Sequence, residues 1–375
     1  MNYIVKIIKC NFNKSLTNLK IMKIHSILTV LLIILFLNTC GQKSNTRNLE
    51  NKSLIVTFVK HESDKRMDVM VDGKPFTSYC WPDNIYKPIL YPILTAVGTT
   101  ITRGFPINAR AGERQDHKHQ IGNWLNYGNV NGYDFWGNGS EEKRSINGGQ
   151  IKHISIGDLS EGNGEGSMVI NASWIDPAGK ELLAEKTEFH FIAKGSIRII
   201  DRITTLTATG EAVLFKDTKE GSFGIRVSRQ LELPSQEDVT LTDAQGNPTK
   251  VKAMSNVGVT GNFRSSEGVT GESVWGTRAK WMGLHGSIGD ENISLIICDH
   301  PKNLSYPTYW HARGYGLFAA NPFGVKDFTK GKEELNYNIP SGKSLTMKYR
   351  IIISSGMHLT DAEINASAKD FARKY

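Results

Sequence analysis

Ser167-Met-Val-Ile-Asn-Ala-Ser-Trp174 alternates apolar and polar side chains, with Met168, Ile170, Ala172 and Trp174 on one face. A period of two over a run of this length marks a strand with one buried face. The chain turns at Asp176-Pro-Ala-Gly179 and continues through Lys186 to Ile192 and Ser196 to Thr205, which predicts an antiparallel meander. Upstream, Ser53 to Lys60 and Arg66 to Val71 read as a first hairpin, the latter strand closed by Asp72-Gly73. Downstream, strands are predicted at Gly224 to Leu233, Val239 to Thr242, Lys250 to Met254, Lys280 to Gly286, Ile293 to Cys298 and Ser344 to Ser354. The one clear helix is the last. Thr360-Asp-Ala-Glu363 has the form of a capping box, and Ile364, Ala368 and Phe371 make an apolar stripe suited to docking on a sheet. Many strands, no parallel βαβ pattern and no internal repeat predict an all-β fold. The expected architecture is a large antiparallel β-sandwich of the mutarotase-like supersandwich kind, carrying a C-terminal α-helix.

The N-terminus has a different character. Ile27 to Leu37 is apolar, follows a basic segment with Lys20 and Lys23, and is shorter than the roughly 20 residues of a spanning helix. Leu37-Asn38-Thr39-Cys40 behind it has the form of a lipobox, with Thr39 where glycine or alanine is usual. The expected organisation is a signal peptide over 1–39, a lipid on Cys40, a polar tether over 40–52 and a β-sandwich catalytic domain over 53–375, lipid-anchored in the cell envelope and facing the periplasm. The whole chain carries a formal charge of +8, but residues 1–39 hold five lysines and no acid, so the remainder has 40 basic and 37 acidic residues. That near-balance makes whole-chain charge a weak argument; in the envelope nucleic acid is not an expected partner, and an acidic ligand has to be recognised by a local cluster. After residue 40 only Cys80 and Cys298 remain, too few for a disulfide scaffold or a cysteine zinc site; a single bridge and two separate buried thiols both stay open.

Two segments depart from simple strand patterning and concentrate unusual side chains. The first runs Arg103-Gly-Phe-Pro106, Asp116-His-Lys-His-Gln-Ile-Gly-Asn-Trp124 and Tyr127-Gly-Asn-Val-Asn-Gly-Tyr-Asp-Phe-Trp136. The second runs Asp299-His-Pro-Lys302, Tyr306-Pro-Thr-Tyr-Trp-His-Ala-Arg-Gly-Tyr315 and Asn321-Pro-Phe-Gly324. Rings interleaved with Asn, Asp, Arg and His suit a sugar, whose faces stack on aromatics while its hydroxyls need polar partners. Trp124, Tyr309 and Trp310 are the expected platforms, and Phe135, Trp136 and Phe323 the expected core. His117 and His119, two apart, share a face of an extended segment and fit proton transfer. A metal, with His300 or His311 as third ligand, is the less favoured reading, so no cofactor is expected. Arg313, Lys87 in Tyr86-Lys-Pro88 and Arg226, with Glu220 near the same glycine turn, are candidate holders of a carboxylate or sulfate.

The same blocks resemble the PmoA-like envelope proteins. The matching residues are Asp116-His-Lys-His-Gln, Asn131-Gly-Tyr-Asp-Phe-Trp136, Asp299-His-Pro301, Trp310-His-Ala-Arg-Gly-Tyr-Gly316 and Asn321-Pro-Phe-Gly324; Ile121 between Gln120 and Gly122 departs from the pattern. A methane monooxygenase subunit spans the membrane repeatedly, so that label is set aside. The chain is similar to PmoA-like proteins found among the polysaccharide-degradation genes of marine flavobacteria, including those for ulvan. The resemblance implies an oligosaccharide dehydratase that forms a 4,5-unsaturated sugar from a terminal glucuronic or iduronic acid. The roles expected on that reading are His119 as base, His117 or His311 as acid with Tyr309 as substitute, and Lys87, Arg226 and Arg313 on the carboxylate. Arg103, Trp124, Glu220, His300 and Trp310 would line the substrate. A glycoside hydrolase and a non-catalytic glycan-binding lipoprotein are the rival expectations.

Overall fold

The computed structural model describes residues 54–137 and 146–375; the leader, Cys40 and the tether lie outside the described residues. Two antiparallel sheets dominate. The first has nine strands in the order Tyr309–Arg313, Leu317–Asn321, Gly221–Arg226, Asn123–Tyr127, Ile89–Ile93, Lys74–Cys80, Arg66–Val71, Ile55–His61 and Gly162–Asn163. The second has eight, in the order Asn262–Ser265, Trp281–Ile288, Glu291–Asp299, Ser344–Ser355, Ile197–Ala208, Glu181–Lys194, Glu165–Ile175 and Gln150–Ser160. The fold is a large antiparallel β-sandwich with a C-terminal helix, as the alternation predicts.

Met168, Ile170, Ala172 and Trp174 all face the shared core. Across it, Phe58 and Phe76 of the nine-stranded sheet meet Phe191 edge-on at 5.9 and 6.2 Å, and Phe223 stacks on Tyr349 at 4.7 Å. Such offset and edge-to-face pairs add specificity to apolar burial. The first hairpin pairs Val56 with Val71 through His61 with Arg66. Asp72-Gly73, both at positive φ, then return the chain into Lys74–Cys80, a strand the pattern did not mark.

Each sheet also has an outer face. On the eight-stranded sheet, Ile192, Ile199, Trp281, Ile296, Cys298 and Ile352 are covered by Ile364 and Phe371 of the helix Asp361–Lys374. Thr360 accepts from the Glu363 amide while the Glu363 carboxylate accepts from the Thr360 amide, completing the capping box. The outer face of the nine-stranded sheet carries the residues considered next.

Candidate functional site

Strand parity selects what reaches this face. In Asn123–Tyr127, Leu125 and Tyr127 enter the core, leaving Trp124 and Asn126 outside. In Gly221–Arg226, Phe223 and Ile225 go inward and Gly224 and Arg226 outward. In Tyr309–Arg313, Trp310 and Ala312 go inward, so Tyr309, His311 and Arg313 share the outer side. Trp124 lies flat over Gly224, whose absent Cβ would sit 2.8 Å from the indole Cζ2.

Two buried arginines build the histidine loop on this base. Arg103 donates to the carbonyls of Arg114, Asp116, His117 and Gln120 and to Asp116 Oδ1 at 2.6 Å. Arg226 donates to Asp116 Oδ1 at 2.7 Å and to Gln120 Oε1 at 2.6 Å. Both guanidiniums are nearly or fully buried, so their hydrogen bonds fix the loop geometry. The Arg226 charge and the His117 bond hold the Asp116 carboxyl well below its ordinary range, against the opposing effect of burial. Asp116 Oδ2 in turn meets His117 Nδ1 at 3.2 Å, which leaves Nε2 outside that pair.

From there a line of rings crosses the face. Tyr315 stacks on His117 at 4.9 Å, and His117 meets His119 at 5.8 Å. Trp136 stands 6.3 Å from His119 on one side and 6.3 Å from His311 on the other, and Trp275 closes the line 6.5 Å beyond His311. Asp134 Oδ1 accepts from the Trp136 and Gly137 amides at 2.8 Å each, which sets the indole. His311 Nδ1 meets the Lys219 carbonyl at 2.8 Å, and the Asn321 amide donates to that same carbonyl at 2.9 Å. The indole nitrogens of Trp124, Trp136 and Trp275 and Nε of Arg103 and Arg226 are buried with no hydrogen-bond partner among the described residues.

The electrostatics are lopsided. Burial, then the charges of Lys87, His117, Arg103 and Arg226, lower His119 to about 3. Burial takes His311 down to about 4. Lys87, itself buried, donates from Nζ to the His119 carbonyl at 2.7 Å and lies over the Trp124 ring; burial brings it down to about 7. Asp134 goes the other way, raised by burial above all, with Glu220 adding to the rise and Lys87 opposing it. The arrangement sets the neutral imidazole of His119 near the Arg103 and Arg226 guanidiniums and that of His311 near Arg313, which suits an anionic ligand. Among the described residues no group of three or more His, Cys, Asp or Glu is placed to hold a metal ion.

Several expected residues lie elsewhere or act differently. Trp310 is fully buried in the central core, because its parity is opposite to that of His311. Trp124 is also fully buried, roofed by Trp136, and so supports the site without offering a sugar platform. Tyr309 points outward but packs against Phe328 at 5.4 Å in a separate apolar cluster with Val325 and Trp275. His300 sits under the C-terminal helix, edge-on to Phe371 at 5.1 Å, so Asp299-His-Pro301 belongs to the opposite sheet face. There Asp299 accepts from Asn303 and from the Thr308 amide, shaping the loop that leads into Tyr309–Arg313. Arg103 and Arg226 are spent on the loop. Arg313, exposed and over the Trp275 ring, is the accessible guanidinium. Glu220 is half-buried and paired with Lys219. Tyr315 is the member that spacing did not single out: it stacks on His117 beneath the Arg226 guanidinium, 4.8 Å from its ring. Cys80 and Cys298 are two free thiols on outer faces of different sheets.

A family model described as a family of unknown function, DUF6807, matches residues 66–369. Among solved structures, the chain is similar to the GH36 α-galactosidase AgaB from Geobacillus stearothermophilus, at 9% identity and a TM-score of 0.38, covering 80% of this chain and 41% of that one. It is also similar to the Slr1438 protein from Synechocystis sp. PCC 6803, at 10% identity and a TM-score of 0.31, covering 84% and 100%. The chain thus spans about two fifths of the galactosidase it matches. No curated protein matches the sequence.

Proposed function

We propose that this chain, which belongs to the family of unknown function DUF6807, is a carbohydrate-active dehydratase acting on the non-reducing-end uronic acid of ulvan-type oligosaccharides, anchored to the envelope through Cys40. The observation that carries the reading is the His119 ring, 5.8 Å from that of His117 on a loop whose carbonyls are held by Lys87 and Arg103, where burial and these charges keep the imidazole neutral. A neutral imidazole accepts a proton, and surrounding cations hold and neutralise a substrate carboxylate, which acidifies the adjacent C5–H. Arg313 and Lys87 are the groups assigned to that carboxylate, because Arg103 and Arg226 are committed to Asp116 and the loop.

In the proposed step His119 takes the C5 proton, the electron pair of that C–H bond forms the C4–C5 double bond, and the C4–O bond breaks. His117 protonates the departing hydroxyl, which leaves as water; His311, kept neutral by burial with Nδ1 tied to the Lys219 carbonyl, is not suited to that part. The 5.8 Å between the His117 and His119 rings suits a glucuronic acid, in which H5 and O4 lie on the same side of the pyranose, one ring addressing each. Tyr315 replaces Tyr309 as the phenol beside the pair. Incubation with saturated uronyl-rhamnose oligosaccharides is expected to give the ultraviolet absorbance of a conjugated enoic acid and a mass lower by one water. His119→Ala is expected to lose about 10²- to 10⁴-fold of that rate. Absence of any absorbance rise with the unaltered protein overturns the reading.

A second reading rests on Asp134 and Glu220. A carboxyl raised by burial and by a neighbouring carboxylate is the pattern of a glycosidase acid. Release of reducing sugar that survives His119→Ala and vanishes with Asp134→Asn and Glu220→Gln decides for hydrolysis.

A further inference from the structure

Beside the histidine site lies a groove of about 530 Å³, within the ~300–1,000 Å³ usual for ligand pockets. Its walls are the turn after the first strand, the loop Trp81–Pro88 and the edge strand Gln150–Ser160 of the eight-stranded sheet. We propose that this groove is an additional subsite that binds the inner, sulfated or uronic residues of an anionic oligosaccharide whose terminal unit occupies the histidine site. The inference rests on the reading of that site as one for a carboxylated sugar.

Three observations support it. First, the groove and the site share a side chain: Lys87 lines the groove while its Nζ donates to the His119 carbonyl at 2.7 Å. The groove and the histidine loop therefore lie on either side of one buried side chain. Second, the groove contains a braced aromatic surface. The half-buried Trp81 ring lies over His153 at 4.3 Å and a 31° tilt, and His153 Nδ1 is pinned to the hydroxyl of the buried Tyr79 at 3.1 Å. A rigid, partly exposed indole suits the apolar face of a pyranose, since little side-chain freedom is lost on stacking. Third, the charge is uneven. Lys60, Lys65, Lys87 and Lys152 line the groove against Glu62 and Asp83. Lys60 pairs with Glu62 and Lys65 with Asp83, whereas the exposed Lys152 has no ion-pair partner among the described residues. A free ammonium at the rim is what a sulfate or carboxylate on an inner sugar requires.

The test uses the full chain and two probes that end in the same uronic acid, a non-sulfated disaccharide and a sulfated hexasaccharide, followed by titration calorimetry and by initial rates. The hexasaccharide is expected to bind at least about tenfold more tightly than the disaccharide, and Trp81→Ala to remove about that factor for the hexasaccharide alone. Lys152→Glu, on an exposed position that leaves folding intact, is expected to weaken the hexasaccharide about threefold to fivefold, more at low salt. A chain-length advantage that persists in both variants overturns the inference, as does equal affinity for the two probes or binding of neither. Loss of the advantage in the variants without any dehydration upholds the groove and removes the catalytic reading. Dehydration at equal kcat/KM on both probes does the reverse. Tighter binding of an extended peptide than of either sugar assigns the edge strand to a protein partner and overturns the proposal.

Discussion

Both outer faces of the sandwich are crossed by buried arginines tied to an aspartate, yet the two are finished in opposite ways. Under the C-terminal helix, Arg350 donates to both oxygens of Asp201 and to the Ser367 carbonyl, and its guanidinium lies over Phe371. Asp201 is fully buried and the surrounding face is apolar. On the other face, Asp116 is shared by two arginines, a loop replaces the helix, and several buried donors lack partners among the described residues. The first face is closed by a packed helix and leaves fewer such atoms, among them His300 Nε2 and the Tyr375 hydroxyl, which is what stability selects. Polar groups left buried and unsatisfied are costly, and they persist where binding a ligand compensates them.

The sharpest way to break that contrast is to remove each aspartate. Asp201→Asn leaves Arg350 charged and buried with weaker partners, and the expected loss is about 3–5 kcal/mol, seen as a large fall in the urea midpoint with unchanged turnover per folded molecule. Asp116→Asn touches a carboxylate whose side chain is 28% exposed, and its expected stability loss is about 1.5–3 kcal/mol. Its main effect is expected on turnover, because the carboxylate charge is lost and the histidine loop is then held by Arg103 through backbone carbonyls and by Arg226 through the Gln120 side-chain oxygen. Equal effects of the two on stability and turnover would erase the functional distinction between the faces.

The two faces also differed in how readable they were. The helix face was legible because Thr360, Glu363, Ile364 and Phe371 report on local rules: a cap and a stripe at helical spacing. The strands from Glu165 to Ala208 were legible because they alternate. Tyr309–Arg313 and Leu317–Asn321 are strands too, but core lies on one side and site on the other, so alternation of polarity disappears and only parity remains. Parity alone separates Trp310 from His311. The pairing of His117 with His119 was visible as composition; that Arg226, about a hundred residues on, joins them was not. The work of Arg103 and Arg226 was not, because backbone carbonyls, which every residue carries, accept from Arg103. His300 and Trp124 misled for the same reason: side-chain chemistry says nothing about which layer covers it.

A gentler comparison uses two outward-facing glycines. A Cβ on Gly224 would meet the Trp124 ring at 2.8 Å, and the ring is walled in by Trp136 and Lys87. Gly224→Ala is therefore expected to cost about 1–3 kcal/mol and to displace the ring line, lowering turnover as well as the melting temperature. On the opposite face, a Cβ on Gly283 would meet the end methyl of Ile296 at 2.8 Å and His285 Nε2 at 2.9 Å. The Ile296 methyl can rotate away, so Gly283→Ala is expected to cost less and to leave turnover alone. Smaller still, Thr360→Ala removes the cap of the covering helix, at about 1 kcal/mol, checked by thermal unfolding.

The smallest effect discriminates best. His119 on the site face and His300 on the helix face are both depressed by burial, to about 3 and about 4. A histidine whose folded pKa lies below the unfolded value near 6.5 stays neutral in the fold while the unfolded chain gains a proton. Stability is therefore intact above about pH 6.5 and falls as the pH drops toward 4, by up to ~1.4 kcal/mol per unit for each such ring. Both rings contribute to that common acid slope. An anionic sugar should separate them. A carboxylate held by Lys87 and Arg313 beside the histidines favours the charged imidazole, so the His119 midpoint is expected to rise on binding, while His300, packed beneath Phe371, does not move. Histidine-resolved NMR titration with and without a uronic acid disaccharide reads both at once. The rise matters for mechanism, because an imidazole that cannot hold a proton without the ligand becomes a competent base when the ligand's own charge arrives. If His119 and His300 shift together, or neither shifts, the cationic face does not receive the carboxylate and the contrast between the two faces is one of packing alone.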